Sequence, residues 1–253
     1  MHEREAGMAD VEIARSGAVL ELTLNRPAKK NALTNAMYRT LNVALREAER
    51  DPAIGAVLIA GAGGVFSAGN DIGDFVAAAQ GGEMAGADFV RRIAAFPKPL
   101  VAAVDGLAVG IGCTLLLHCD LVYATSESRF LLPFVDLGLL PEAGSSLLLP
   151  RRVGMARASA WLLAGESFGA DEAYAAGLLN AIPSKDSLIA TAREKAAQLA
   201  AKPRTALMAA RKFMRGEKDE VLARIEAELD AFRTALASPE ARAALLAFLN
   251  KGK

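Results

Sequence analysis

The stretch Lys98-Pro99-Leu100-Val101-Ala102-Ala103-Val104-Asp105-Gly106, continued by Leu107-Ala108-Val109-Gly110-Ile111-Gly112-Cys113, decides the fold class. Lys98-Pro99 introduces a buried strand over Leu100 to Asp105, because a short run without polar alternation belongs to a strand covered on both faces. Gly106 to Gly112 forms a glycine-rich bend, and an apolar helix follows from Cys113 to His118. Asp120 to Thr125 is strand-like again. Upstream, Ala56 to Ala60 is a second wholly apolar run, followed by a loop that carries Gly61, Gly63, Gly64 and Gly69. Strand, glycine turn and helix repeated in this way specify an α/β chain with parallel connections.

Further out, Val11 to Asn25 alternates as two short strands joined at Ser16-Gly17. Thr34 caps a helix that runs to about Arg50 and is ended by Asp51-Pro52. Helical segments occupy roughly 72 to 95, broken at Gly81-Gly82. After Pro183 the character changes: Ser187 to Ala200, Pro203 to Arg215, Glu217 to Leu236 and Pro239 to about Leu249 read as Ala-rich amphipathic helices. Residues 1–195 are therefore expected to form the α/β core and 196–253 a helical C-terminal subdomain.

Composition removes several function classes. Apolar residues make up 53% of the 253, which excludes global disorder. Lys+Arg and Asp+Glu both number 29, leaving no net attraction to nucleic acid or membrane. No stretch has the length and purity of a membrane span, and Met1 to Asp10 lacks the apolar core of a signal peptide, with Met8 an alternative start. Cys113 and Cys119 form no CxxC pair and are expected reduced, which fits a cytoplasmic compartment. With only His2 and His118 available, no His-rich metal site is expected.

Several chemistries fall away on spacing. Gly61-Ala62-Gly63-Gly64-Val65-Phe66 is not GxGxxG, no GxxxxGK[ST] exists, and no GxSxG elbow accompanies His118. His118, inside the apolar run Thr114 to Cys119, reads as a satisfied core histidine. What remains is a pair of glycine turns, Phe66-Ser67-Ala68-Gly69-Asn70-Asp71 and Gly110-Ile111-Gly112-Cys113. Each lies near a strand end, where backbone N–H groups can be left free to stabilise an enolate oxygen. Glycine alone does not distinguish such a site from two tight turns.

The wider pattern resembles the crotonase (enoyl-CoA hydratase/isomerase) superfamily over nearly the whole chain. Leu24-Asn25-Arg26-Pro27 with Asn31-Ala32-Leu33 is similar to the motif that lines the coenzyme A site. Phe66 to Asp71 and Lys98 to Cys113 are similar to the two oxyanion-hole segments, and Cys119 to Ala124 and Ala176 to Leu179 continue the likeness. The resemblance implies a ββα spiral core with a C-terminal helical trimerisation subdomain, assembled as a homotrimer or a dimer of trimers. It implies an acyl-CoA thioester substrate, with coenzyme A entering as part of that substrate and no other cofactor. The N–H groups of Ala68 and Ile111 are the implied oxyanion donors, expected to converge about 3 Å from one point.

The departures from the family pattern matter equally. Hydratases of this family use two glutamates to add water, and those positions fall on Thr114 and Phe134, which are expected to line the pocket without supplying an acid. One carboxylate remains, Glu142, in Leu139-Leu140-Pro141-Glu142-Ala143-Gly144-Ser145-Ser146. This stretch resembles the Δ3,Δ2-enoyl-CoA isomerase branch, whose single catalytic glutamate stands there. In apolar surroundings its pKa would be raised, which suits a proton shuttle; it could equally be a first-turn residue favoured by a helix dipole. Asp136 is a second candidate carboxylate. The resemblance also assigns Arg26, Lys29 and Lys30 to the phosphates of coenzyme A and the Ala68 to Ile72 loop, with Asp71, to adenine. Phe248 and Lys251 would reach coenzyme A from a neighbouring subunit, or else serve only in helix packing and as a solvated charge. The expected activity is moving the double bond of a 3-enoyl-CoA to the 2-position. The alternatives are a hydratase with an atypical acid/base and a non-catalytic acyl-CoA-binding protein.

Overall fold

The computed structural model describes residues 9–78 and 80–251, with the side chains of 246 and 248–251 outside that description. Strands β1 (Val11–Ser16) and β2 (Val19–Leu24) form a hairpin around Gly17 at φ 59, and helix α1 (Asn35–Arg50) leads to β3 (Ala56–Gly61). Thr34 caps α1 by accepting from the Met37 N–H at 3.2 Å, satisfying one of the amides that a helix start leaves open. Next come α2 (Ile72–Ala78), α3 (Ala85–Ala95), β4 (Leu100–Val104), β5 (Leu107–Val109), α4 (Ile111–Thr114) and β6 (Leu121–Ala124). They are followed by β7 (Arg129–Leu131), α5 (Ser145–Val153), α6 (Met155–Leu162), β8 (Phe168–Gly169) and α7 (Ala170–Ala175). Four longer helices close the chain: α8 (Lys185–Ala200), α9 (Arg204–Arg215), α10 (Lys218–Leu236) and α11 (Pro239–Lys251).

The main sheet has the order β1-β2-β3-β4-β6, parallel throughout except for the β1–β2 hairpin, and β5-β7-β8 form a smaller sheet. Alternation along β3 shows why its run is apolar at every position. Val57 and Ile59 face the large core shared with α1 and α3, while Ala56, Leu58 and Ala60 face α8. Helix α8 presents Leu188, Ala192 and Ala196 to that second face. The small residues let it lie close: a Cβ on Gly55 would come within 2.8 Å of Ala200. The division expected after residue 195 therefore falls inside a continuous helix, and α8 belongs to the core as its outer layer.

Beyond α8 the helices behave differently. Helix α10 buries Ile225, Glu228, Leu229, Phe232 and Leu236, returning a stripe of 3.6-residue period to the core. Helix α9 buries none of its residues; Phe213 is 84% and Met214 87% exposed. Both cysteines are free and buried. Among the described residues no helix is long and apolar enough to cross a membrane, and no cluster of His, Cys, Asp and Glu is set to hold a metal.

Candidate active site

The first glycine turn is held by two isolated parallel bridges, Ser67 with Ala108 and Leu33 with Asn70. In the second, the Leu33 N–H donates to Gly69 O and Leu33 O accepts from the Asp71 N–H, at 2.8 and 2.9 Å. A parallel bridge uses the groups on either side of its central residue, so the Asn70 N–H faces away from the ladder. It has no hydrogen-bond partner among the described residues. Gly69, at φ +90, must be glycine, because a Cβ there would lie 2.9 Å from Val109 O.

Ala68 is different. Its N–H donates to Lys30 O at 2.8 Å, so it is not available to a substrate oxygen, and the expectation that placed Ala68 as an oxyanion donor is corrected. The reason is long-range: Lys30 and Asn31 both have positive φ, which turns the Lys30 carbonyl onto the loop from a segment almost forty positions earlier. Asn31 anchors that turn by donating to Ala62 O and Val65 O while accepting from the Arg26 N–H.

The second turn leaves its donors open. Gly110, at φ 53 and ψ −120, donates to Leu131 O, and its own carbonyl accepts from Cys113 and Thr114. The Ile111 N–H that follows has no partner among the described residues. Gly112 brings the two turns together, since a Cβ on it would meet Ser67 O at 2.9 Å. Asn70 and Ile111 consequently line one cavity, with Glu142 and a largely apolar wall that includes Leu33, Phe75, Met84, Val90, Leu229 and Phe232. Its empty space, mouth included, is ≈ 540 Å³. Tyr38 also lines it and donates to Asn70 Oδ1 at 2.5 Å. Burial first, then the Glu142 and Asp74 carboxylates, push the Tyr38 hydroxyl well above its ordinary pKa, so it stays a donor.

Glu142 is 7% exposed and precedes two residues of left-handed backbone, Ala143 at φ 58 and Gly144 at φ 71. The His118 Nε2–H donates to Ala143 O at 2.7 Å, and burial pushes the His118 pKa down to about 4, so a neutral ring fixes the loop. His118 is thus the satisfied core histidine expected of it. Thr114, where a hydratase carries its first glutamate, donates through Oγ1 to Glu142 Oε1 at 2.5 Å. Glu142 has its pKa raised to about 8, chiefly by burial; Thr114 works downward and the Glu228 charge upward. Three other carboxylates line the cavity, and each is engaged elsewhere: Asp71 with Arg26, Asp74 with the Asn35 N–H and Glu83 with Arg39. Among the described residues Glu142 makes no ion pair. Asp136, the second candidate, is corrected: it sits exposed on the 3-10 turn Val135–Leu137 beside Gly165, and it is not among the residues lining the cavity.

Such a cavity, lined by two residues whose N–H groups are unpaired among the described residues and by a buried carboxylate of raised proton affinity, can stabilise an enolate oxygen and move a proton at the neighbouring carbon. The sequence model for enoyl-CoA hydratase/isomerase matches residues 14–253. The chain is a member of the enoyl-CoA hydratase/isomerase family. It is 36% identical over 256 residues to the 2,3-dehydroadipyl-CoA hydratase of Escherichia coli, covering 96% of this chain and 97% of that protein. It is also 36% identical over 247 residues to the enoyl-CoA delta isomerase 2 of Rattus norvegicus, covering 94% of this chain and 63% of the rat protein. Among solved structures, Pseudomonas aeruginosa OdaA superposes with a TM-score of 0.90 at 42% identity, covering 94% of this chain and 98% of the other. An enoyl-CoA hydratase/isomerase from Pseudoalteromonas atlantica superposes with a TM-score of 0.91 at 39% identity, covering 96% and 98%. The spiral α/β fold is the family's.

Of the residues expected to hold coenzyme A, the structure brings some together and not others. Arg26 Nη1 bonds Asp71 Oδ2 at 2.7 Å and Ala32 O at 3.2 Å, so it fastens the first motif to the first turn. Burial works against the Asp71 charge, but Arg26 and the Gly73 and Asp74 N–H groups outweigh it and hold that carboxyl below its ordinary range. Lys29 and Lys30 are exposed at the same edge and make no ion pair among the described residues. Ile72 opens α2 and packs partly buried against the core. The side chains of Phe248 and Lys251 lie outside the described residues. Asn70, Tyr38 and Glu228 were not singled out by sequence reasoning. A tyrosine within the buried stripe of α1 was the one available signal, since a buried phenol needs a partner.

Proposed function

We propose that this enzyme moves the double bond of a 3-enoyl-CoA to the 2-position, and that Glu142 carries the proton. The observation that supports this is the one lining carboxylate not engaged elsewhere: Glu142 is buried, has no ion-pair partner among the described residues, and accepts from Thr114, which stands where a hydratase would hold its first acid, while Phe134 stands at the position of the second. In this reading the thioester oxygen is received by the N–H groups of Asn70 and Ile111. Ionised Glu142 takes a proton from C2, and the electron pair delocalises into a dienolate whose negative oxygen the two amides stabilise. The carboxylic acid then returns the proton at C4, leaving the double bond between C2 and C3 and Glu142 ionised as it began. A pKa near 8 brings the carboxylate closer to the carbon acid and lowers the cost of each transfer. The relatives' names include both hydratase and isomerase at the same 36% identity, so the residues carry the distinction.

The reading includes the substrate's coenzyme A lying along Arg26, Lys29 and Lys30, with no other cofactor, in a cytoplasmic enzyme. It also includes assembly through α9 into a homotrimer or dimer of trimers, which would cover Phe213 and Met214.

The test is Glu142→Gln, which keeps the shape and removes the base. Isomerisation of 3-hexenoyl-CoA should fall on the order of 10²–10⁴-fold, with binding little changed. Deuterium exchange at C2 gives an independent readout of proton abstraction. Full exchange in the variant refutes the assignment. Rapid hydration of 2-enoyl-CoA by the unmodified enzyme would show instead that one carboxylate suffices for water addition.

A further inference from the structure

We propose that Glu228 of α10 is the positioning residue for Glu142: it occupies the N-terminus of α5 so that Glu142 does not, and leaves Glu142 facing the cavity. The role of Glu142 in this statement rests on the function proposed above, whereas the clamp itself is structural. Glu228 is buried, and its two oxygens accept from the Gly144 N–H at 2.6 Å, the Ser146 N–H at 3.0 Å and Ser146 Oγ at 2.5 Å. These donors start α5, only two and four positions after Glu142. A helix start attracts a carboxylate through its open amides and its partial positive charge. Glu142 is the nearest acid in sequence, and without Glu228 its own carboxylate would be drawn to those donors and away from Thr114.

A neutral cap would satisfy the amides at lower desolvation cost, so the charge calls for a reason. Burial pushes the Glu228 pKa above its ordinary value, against the Ser146 and Gly144 donors and Arg224; in its ionised form it cancels the positive end of α5 beside Glu142 and adds a like charge, and both effects favour the protonated form of Glu142. The charged and titratable groups around the pair are few. Tyr38 faces Glu142 from α1, Cys113 and Thr114 face it from α4, and neutral His118 holds the next carbonyl. Exposed Arg224 of α10 reaches Ser146 Oγ at 3.2 Å from outside. One turn of α10 therefore serves two ends, since Leu229 and Phe232 wall the cavity that Glu142 faces.

The experiment reads the proton affinity of Glu142 without turnover. A carboxyl whose folded pKa is raised makes the folded state bind more protons than the unfolded state, so its ionisation lowers stability as pH rises from its ordinary 4.5 to about 8. The Tm advantage of Glu142→Gln over the unmodified protein should accordingly grow through that window and level off above it. In a Glu228→Gln background the levelling point should move to lower pH, and isomerisation should fall about 10-fold to 100-fold through kcat rather than KM. A levelling point that stays in place overturns the proposal, whether or not the enzyme proves to be an isomerase. A moved levelling point in an enzyme inactive on 3-enoyl-CoA upholds the clamp and refutes the function proposed above. Should Glu228→Gln fail to fold, Glu228→Asp keeps the charge and withdraws it by one methylene. Amide hydrogen exchange over residues 143–148 should then quicken about 10-fold or more, the loss of a bond worth at least 1.4 kcal/mol. Unchanged exchange there likewise overturns the proposal.

Discussion

Replacing Thr114 by Val removes one hydroxyl from the site and nothing else of comparable size. The hydroxyl's partner is Glu142 Oε1, 2.5 Å away, and it favours the ionised carboxylate. A hydrogen bond to a charged group is worth about 2 kcal/mol net and one to a neutral group about 1 kcal/mol, so the ionised form loses about 1 kcal/mol more than the acid. That raises the Glu142 pKa from about 8 by roughly 0.7. At pH 7 the ionised fraction then drops from about one in ten to about one in fifty, and kcat/KM for 3-hexenoyl-CoA falls about fivefold. The sign is fixed by the charge type. A base with a raised pKa is active above that pKa, so the ascending limb moves to higher pH and the two enzymes converge in alkali. The assay is the pH profile of isomerisation between pH 6 and 10. A limb that stays put, or moves to lower pH, refutes the claim that Thr114 holds Glu142 in its ionised form. Sequence reasoning assigns Thr114 only the loss of an acid; the structure gives its hydroxyl a partner, the Glu142 carboxylate.

Gly69→Ala should lower stability by about 2 kcal/mol, or roughly 4–8 °C in Tm, because a Cβ at φ +90 meets Val109 O at 2.9 Å; an unchanged Tm would show that the first turn relaxes freely. Asp71→Asn should cost about 1 kcal/mol at neutral pH, discounted because the pair with Arg26 is partly exposed. Its pKa is depressed, so this stability is present above its ordinary 3.8 and is lost as pH falls through the lower folded value. Urea melts of the variant and the unmodified protein should therefore converge in acid, and a constant gap down to pH 2 would contradict the ion pair. Sedimentation at micromolar concentration should show an assembly, and Phe213→Ser with Met214→Ser should shift it towards monomer; a monodisperse unmodified monomer would refute burial of α9 between copies.

The sequence by itself determined the layered α/β plan. Wholly apolar runs at Ala56 to Ala60 and Leu100 to Val104 require cover on both faces, and the structure supplies it with the core on one side and α8 on the other. Residue identity also fixed Thr114 and Phe134 at the positions where the family's hydratases carry acids, left Glu142 and Asp136 as the two candidate carboxylates, and marked the two glycine turns. The short elements between residues 126 and 182 carry too few periods to be read, and the continuity of α8 through residue 195 depends on packing rather than on any local signal. Only the tertiary structure decided which amides are open. The Lys30 carbonyl, brought in by a distant left-handed turn, occupies the Ala68 N–H, whereas the Asn70 N–H two positions on has no partner among the described residues. Only the tertiary structure, too, set Asp136 against Gly165 outside the cavity and carried Glu228 from α10 to the start of α5. A hydrogen-bond donor is open or closed, and a carboxylate buried or solvated, according to neighbours far away in sequence. Periodicity and spacing act over a few residues and hold no record of those neighbours.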